Sequence, residues 1–224
     1  MFATDWQRRV SLNMDERQLI LEIVNCDDYA KACGDISHPC SNTVNSSIFQ
    51  DRRLAPEAWR FHDCRSLGEV ECIFLGWNSG IGRDCSAPSY HDDDKKKIDY
   101  SYKSLQDSYI TNYRNVLNAL IRKSLPYVKT NLAHCKTEHK KYCSQECIEH
   151  CADKYLKETL SLCRKLKLIV AYDGIEYLNN RFELSLSLGN RYDKIGSVWI
   201  VYVERAPQGG HLKIPKFRIE GLDC

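Results

Sequence analysis

Three short apolar runs constrain this chain more than any other feature: VECIFL at 70–75, LKLIVAY at 166–172 and VWIVYV at 198–203. Runs of this length, rich in β-branched residues and bounded by glycine or charge, are strands buried on both faces. A fourth, YVKTNL at 127–132, follows Pro126. Between them lie stretches with apolar residues at helical spacing. Leu105, Tyr109, Tyr113, Val116, Leu117 and Leu120 mark a helix over 100–124, the cysteine-bearing segment continues as a helix through Arg164, and a further helix covers 175–180. Strands alternating with helices predict an α/β fold, a three-layer sandwich with a mostly parallel central sheet flanked by helices.

Residues 14–24 (MDERQLILEIV) open with acidic residues and then repeat apolar positions at helical spacing, which predicts an N-terminal helix. Residues 25–51 are polar and carry Cys26, Cys33 and Cys40, and Pro39 discourages a long helix there. With 224 residues, 43% hydrophobic and 28% charged, the chain is read as one domain spanning 1–224, with 25–51 as a cysteine-bearing N-terminal region. No apolar run has the length of a membrane span, and MFATDWQRRV lacks the apolar stretch of a secretory signal. The expectation is an intracellular protein, cytoplasmic or nuclear, without a membrane partner and monomeric.

In a reducing compartment, twelve cysteines are metal ligands or core residues before they are disulfides. Cys135, Cys143, Cys147 and Cys151 crowd one segment, and His134, His139 and His150 lie beside them, so a zinc site of mixed Cys and His ligands is one reading. Cys143, Cys147 and Cys151 stand four apart and equally fit one buried stripe of small hydrophobes. Cys64, Cys72, Cys85, Cys163 and Cys224 are read as core or surface residues. The net charge of +2 excludes a uniformly basic coat, while local basic runs remain at 136–141, 164–167 and 213–218.

In such a sheet ligands bind beyond the carboxyl ends of the strands, so the loops at 76–83, at 131–135 and after Val203 are expected to converge on one site. Those loops, in that order, resemble the uracil-DNA glycosylase superfamily. LAPEAW followed by a strand and LGWNSG is similar to the entry into that superfamily's water-activating loop. YVKTNLAHC is similar to its base-reading strand end, and KLIVAYDGIEYL to a later strand and helix. Cys135 and Cys151 stand sixteen residues apart, the separation of the last two cluster cysteines in the iron–sulfur branch of that superfamily. The resemblance therefore implies a [4Fe–4S] cluster, with Cys33 and Cys40 as the first pair and Cys135 and Cys151 as the second; Zn2+ is the alternative.

The resemblance further implies a monofunctional DNA glycosylase acting in DNA repair or on foreign DNA. Such an enzyme binds single- or double-stranded DNA, flips out uracil or another altered base, and hydrolyses its N-glycosidic bond to leave an abasic site. Asn131 matches the base-reading asparagine, whose carboxamide offers a donor and an acceptor at fixed spacing; as a bare residue it equally fits a strand-end cap. Asn78 matches the position that orients the attacking water, and Asp84 is the nearest carboxylate able to act as a base. Gly76 and Gly80 would let the backbone approach the base, and Trp77 and Tyr90 would stack on it or belong to the core. The superfamily's histidine-proline-serine loop is replaced by ERAPQGGH, so the expected charge on the leaving base comes from His211, reaching back, or from Arg205. The rival reading is an inactive nucleic-acid-binding protein stabilised by a cluster or by zinc.

Overall fold

The computed structural model describes residues 15–32, 37–40, 54–80, 87–102, 107–137, 143–206 and 211–222. In chain order the elements are α1 (Glu16–Val24), α2 (Asp27–Ala32), β1 (Trp59–His62), β2 (Cys72–Gly80), α3 (Asp94–Ser101), α4 (Asp107–Ile121), β3 (Tyr127–Thr137), α5 (Gln145–Leu162), β4 (Leu168–Ala171), α6 (Ile175–Phe182), β5 (Tyr192–Ile195) and β6 (Val198–Tyr202). The six strands form one sheet in the order β1-β3-β2-β4-β6-β5. The inner four, β3, β2, β4 and β6, are parallel, and the edges β1 and β5 pair antiparallel with β3 and β6. The expected α/β class and largely parallel sheet are present.

Side chains alternate across the sheet with the period of two that a strand imposes. Ile73, Leu75, Val128, Ile169, Ala171, Val198 and Ile200 face one core with Leu19, Ile20 and Ile23 of α1 and Ile148, Ala152 and Tyr155 of α5. Cys72, Phe74, Tyr127, Leu168, Val170 and Val201 face the other, against Tyr113, Val116, Leu117 and Leu120 of α4. There the Phe74 and Tyr113 rings stack at 4.1 Å. Helices thus cover both faces, as a parallel sheet requires.

Two local expectations change. Gly76 does not end its strand: β2 runs on to Gly80, with Gly76 opposite Asn131 and Asn78 opposite Ala133 in β3. The glycine is needed because Tyr172 lies against it; a Cβ at Gly76 would sit 2.7 Å from Tyr172 Cζ. The helix read over 100–124 is instead two elements, α3 ending at Ser101 and α4 beginning at Asp107. Asp93 starts α3 by accepting the Lys96 backbone N–H at 2.9 Å, an N-cap lying ahead of the expected start.

Among the described residues no helix is long and apolar enough to cross a membrane. A cavity of about 620 Å3 beside Phe61, His62, Cys64 and Tyr102 lies at the amino end of the parallel strands, since His62 pairs with Tyr127, the first residue of β3. It is therefore at the opposite end of the sheet from the loops of interest. Burial pushes the Cys64 thiol there up to about 11, which leaves it a poor nucleophile.

Candidate functional site: the point where the sheet reverses, and a buried thiol cluster

β2 is the first parallel strand; the chain moves to one side of it to make β3 and to the other to make β4. The winding reverses there, and doubly wound sheets hold ligands in the crevice expected beyond the carboxyl ends of the strands at such a point. Gly76, Trp77 and Asn131 lie at this end on β2 and β3, Tyr172 and Asp173 directly follow β4, and Arg205 follows β6.

The Arg205 guanidinium forms an ion pair with Asp173 and lies 5.1 Å from the centre of the Tyr172 ring. Burial raises the Asp173 carboxyl above the ordinary carboxylate range, against the opposing pull of Arg205 and of a main-chain hydrogen bond from Trp77. Next to it, Gly174 starts α6 with φ +67°, and a Cβ there would run into Leu132. Gly174→Ala is accordingly expected to cost about 2–3 kcal/mol, from the left-handed backbone and the overpacking together, read as a shifted denaturation midpoint.

Asn131 is buried and, with its amide oriented to satisfy both ends, accepts from Lys129 Nζ at 3.2 Å and donates to the Thr130 carbonyl at 3.3 Å. Its carboxamide is thus engaged locally. Trp77 donates its indole N–H to the Cys143 carbonyl at 3.3 Å. Tyr90 donates its hydroxyl to the Cys26 carbonyl at 3.4 Å and packs on the α1–α5 core, so both aromatics tie the crevice region to the cysteine segments. His211 stacks on Tyr109 of α4, with centroids 5.7 Å apart. Asn78 and Gly80 are placed by their backbones on β2; Asp84 and Cys33 lie outside the described residues, as does His139.

The sulfurs of Cys40, Cys135 and Cys147 lie within 4.8 Å of one another and are buried. A bulge delivers Cys135. The β2–β3 register steps from Asn78–Ala133 to Ser79–Lys136, which leaves His134 and Cys135 without partners on β2. The bulge is pinned on both sides: His134 N–H donates to Cys151 Sγ at 3.3 Å, and its Nδ1 donates to the Glu57 carbonyl at 2.8 Å. Burial lowers His134 to about 4, so it is a neutral core histidine. Cys147 is delivered by the start of α5, where Ser144 caps the helix by accepting the Cys147 N–H at 3.2 Å and donates to the Pro39 carbonyl at 3.3 Å.

Cys147 donates to Cys40 across 3.3 Å. A hydrogen bond from Cys135 favours the Cys40 thiolate, but the one with Cys147, burial, and the charges of Cys147 and Cys26 outweigh it and push Cys40 up to about 12. Hydrogen bonds with Cys147 and Cys40, then burial, raise Cys135 as well. Cys151 is raised by burial, with Cys147, Cys26 and Cys40 adding to it. Five thiols so placed repel one another as anions, and a cation among them reverses that balance. The donor set is therefore able to bind a metal. The sequence admits Cys147 both as a zinc ligand and as part of a buried stripe; its spacing of four from Cys151 is the local signal that both face the same way.

A second group, Asp28, His38 and His150, also gathers within 4.8 Å. Its lone pairs are already used. Lys154 Nζ lies 2.6 Å and His150 Nε2 3.1 Å from Asp28 Oδ2, while His38 Nδ1 accepts the Cys40 N–H at 3.2 Å. With Nδ1 accepting, a neutral His38 keeps its proton on Nε2, which faces Asp28 Oδ1 at 3.7 Å. Burial would raise the Asp28 carboxyl, but hydrogen bonds and charge from Lys154 and His150 hold it well below the usual range. This is an ion-pair hub. Neither protein-family models nor curated proteins compared with the chain match it.

Proposed function

We propose that the chain is a monofunctional DNA glycosylase whose base pocket is the crevice at the ends of β2, β3, β4 and β6, built against a thiolate metal centre. One observation carries the reading: Gly76 and Asn131 are directly paired one residue beyond the carboxyl end of β4, next to where the sheet reverses its winding, with Tyr172 against the glycine and Arg205 paired with Asp173 beside that ring. A flipped base in that crevice exchanges Lys129 and Thr130 for its own edge at the Asn131 carboxamide. Asn78, two residues along β2 from Gly76, orients the attacking water. Arg205, held by Asp173, supplies the positive charge that the departing anionic base requires.

The metal centre uses Cys40, Cys135 and Cys147, with Cys151 or Cys26 as the fourth thiolate, and supplies structure rather than chemistry at the base. A [4Fe–4S] cluster suits the abundance of thiols. The spacing of the triad favours a second reading, a single Zn2+, because Zn–S bonds of about 2.3 Å put tetrahedral ligands roughly 3.8 Å apart. A cubane binds each thiolate to a different iron, so it would hold these sulfurs further apart.

The test incubates the purified protein with oligonucleotides bearing different bases and cleaves the resulting abasic sites with alkali. Strand breaks confined to one base or a small group are expected. Asn131→Asp is expected to shift which base is accepted, by about 1–3 kcal/mol of discrimination, while DNA affinity stays near wild type. Asn78→Ala is expected to lower turnover with base preference kept. DNA binding without breaks at any base would leave the inactive nucleic-acid-binding reading.

A further inference from the structure

We propose that Asp28 is the positioning residue that latches the N-terminal cysteine arm onto the metal centre, a role that rests on reading the cysteines as metal ligands. Cys40 reaches the triad from the described stretch 37–40, which touches the start of α5 through Pro39 and Asp28 through His38. Asp28, on α2, sits at the junction. One carboxylate oxygen takes Lys154 and His150, both on α5; the other faces His38, whose far ring nitrogen accepts the backbone N–H of Cys40.

A chain of contacts therefore leads from α5 through Asp28 and His38 to the backbone of one sulfur ligand, and α5 itself carries Cys147, another. Cys26 Sγ lies 3.9 Å from the oxygen that takes Lys154 and His150, Asp28 Oδ2, so the fifth sulfur meets the same group. Burial makes this arrangement decisive. Asp28 is 9% exposed, and a carboxylate withdrawn from water that far holds its partners in place for as long as it stays charged. Outer partners of this kind fix ligand orientation, and their loss costs metal sites roughly 10–100-fold in affinity.

The experiment uses the full chain purified without oxygen, and follows bound iron and zinc by elemental analysis as a chelator is raised. Wild type is expected to keep its metal, and Asp28→Asn to release it at a chelator concentration lower by roughly 10–100-fold. His38→Ala, nearer the surface and outside every helix and strand, is expected to move the midpoint in the same direction. Melting of the metal-free proteins is the control. A purely structural Asp28 would lower the melting temperatures of the metal-free and loaded forms alike, and that result overturns the proposal, as does an unchanged chelator midpoint in Asp28→Asn. If Asp28→Asn does not fold, the midpoint of His38→Ala decides by the same criterion. A wild-type protein without iron or zinc sinks the metal reading itself, and the latch with it.

Discussion

Chelator treatment of the anaerobically purified chain is expected to lower its melting temperature by roughly 8–16 °C. A metal at the thiol cluster would join the arm at Cys40 to the bulge at Cys135 and the start of α5 at Cys147, about a hundred residues further along the chain. A metal held a thousandfold above its dissociation constant stabilises the folded state by about 4 kcal/mol, and for a chain of this size each kcal/mol is worth roughly 2–4 °C. Cys135→Ser is expected to reproduce the loss without chelator, since the bulge leaves no neighbouring thiol on β3 to replace it. Elemental analysis and colour read the identity: a brown protein with about four irons for a cubane cluster, or a colourless one with a single zinc. If the chain carries no metal and chelator leaves melting unchanged, the five thiols are core packing.

The second large effect is on turnover. Arg205→Ala is expected to slow base release by about 10²–10³-fold, the usual loss when a preorganised donor is taken from developing negative charge. Single-turnover strand cleavage measures it. Arg205→Lys is expected to recover only part of the rate, because an ammonium has no planar fork to hold against Asp173 and lie over Tyr172. His211→Ala is expected to stay within a few-fold of wild type, since its ring stacks on Tyr109 on the α4 side. The reverse pattern, a slow His211→Ala beside a fast Arg205→Ala, would assign the charge to the histidine.

The parallel core was legible because β2, β4 and β6 are buried on both faces, and a strand with no solvent side reads as an unbroken apolar run. The edges were not. β5 (YDKI) alternates exposed and half-buried residues, and β1 (WRFH) buries an arginine. Arg60 is tolerated because Glu57 accepts from it at 3.1 Å and the Tyr100 carbonyl at 2.9 Å, partners that no local pattern announces. Gly76 looked like a strand end because glycine commonly is one; the ring of Tyr172, ninety-six residues on, is the reason it is a glycine.

At the candidate site, local motifs brought Gly76, Trp77, Asn131 and Cys135 into view as one neighbourhood. What escaped is what depends on three-dimensional return of the chain. The bulge that frees His134 and Cys135 is a mismatch between two strands, visible only when both are paired. The place of Cys147 beside Cys40, and of Asp28 among His38, His150 and Lys154, depends on how a polar N-terminal segment packs on α5. Arg205 was visible as a candidate charge, but its partner Asp173, unremarkable in its own loop, acquires meaning only because β4 and β6 are neighbours.

The 107 residues separating Cys40 from Cys147 also set a timetable. A ribosome adding about 5–20 residues per second takes roughly 5–20 s to cover that distance. Throughout that interval the early thiols of the nascent chain stand in solution with no pocket to enter. A metal centre built on these thiols would therefore form only after α5 has been made, when β1, β2 and β3 exist and β4, β5 and β6 are still to follow.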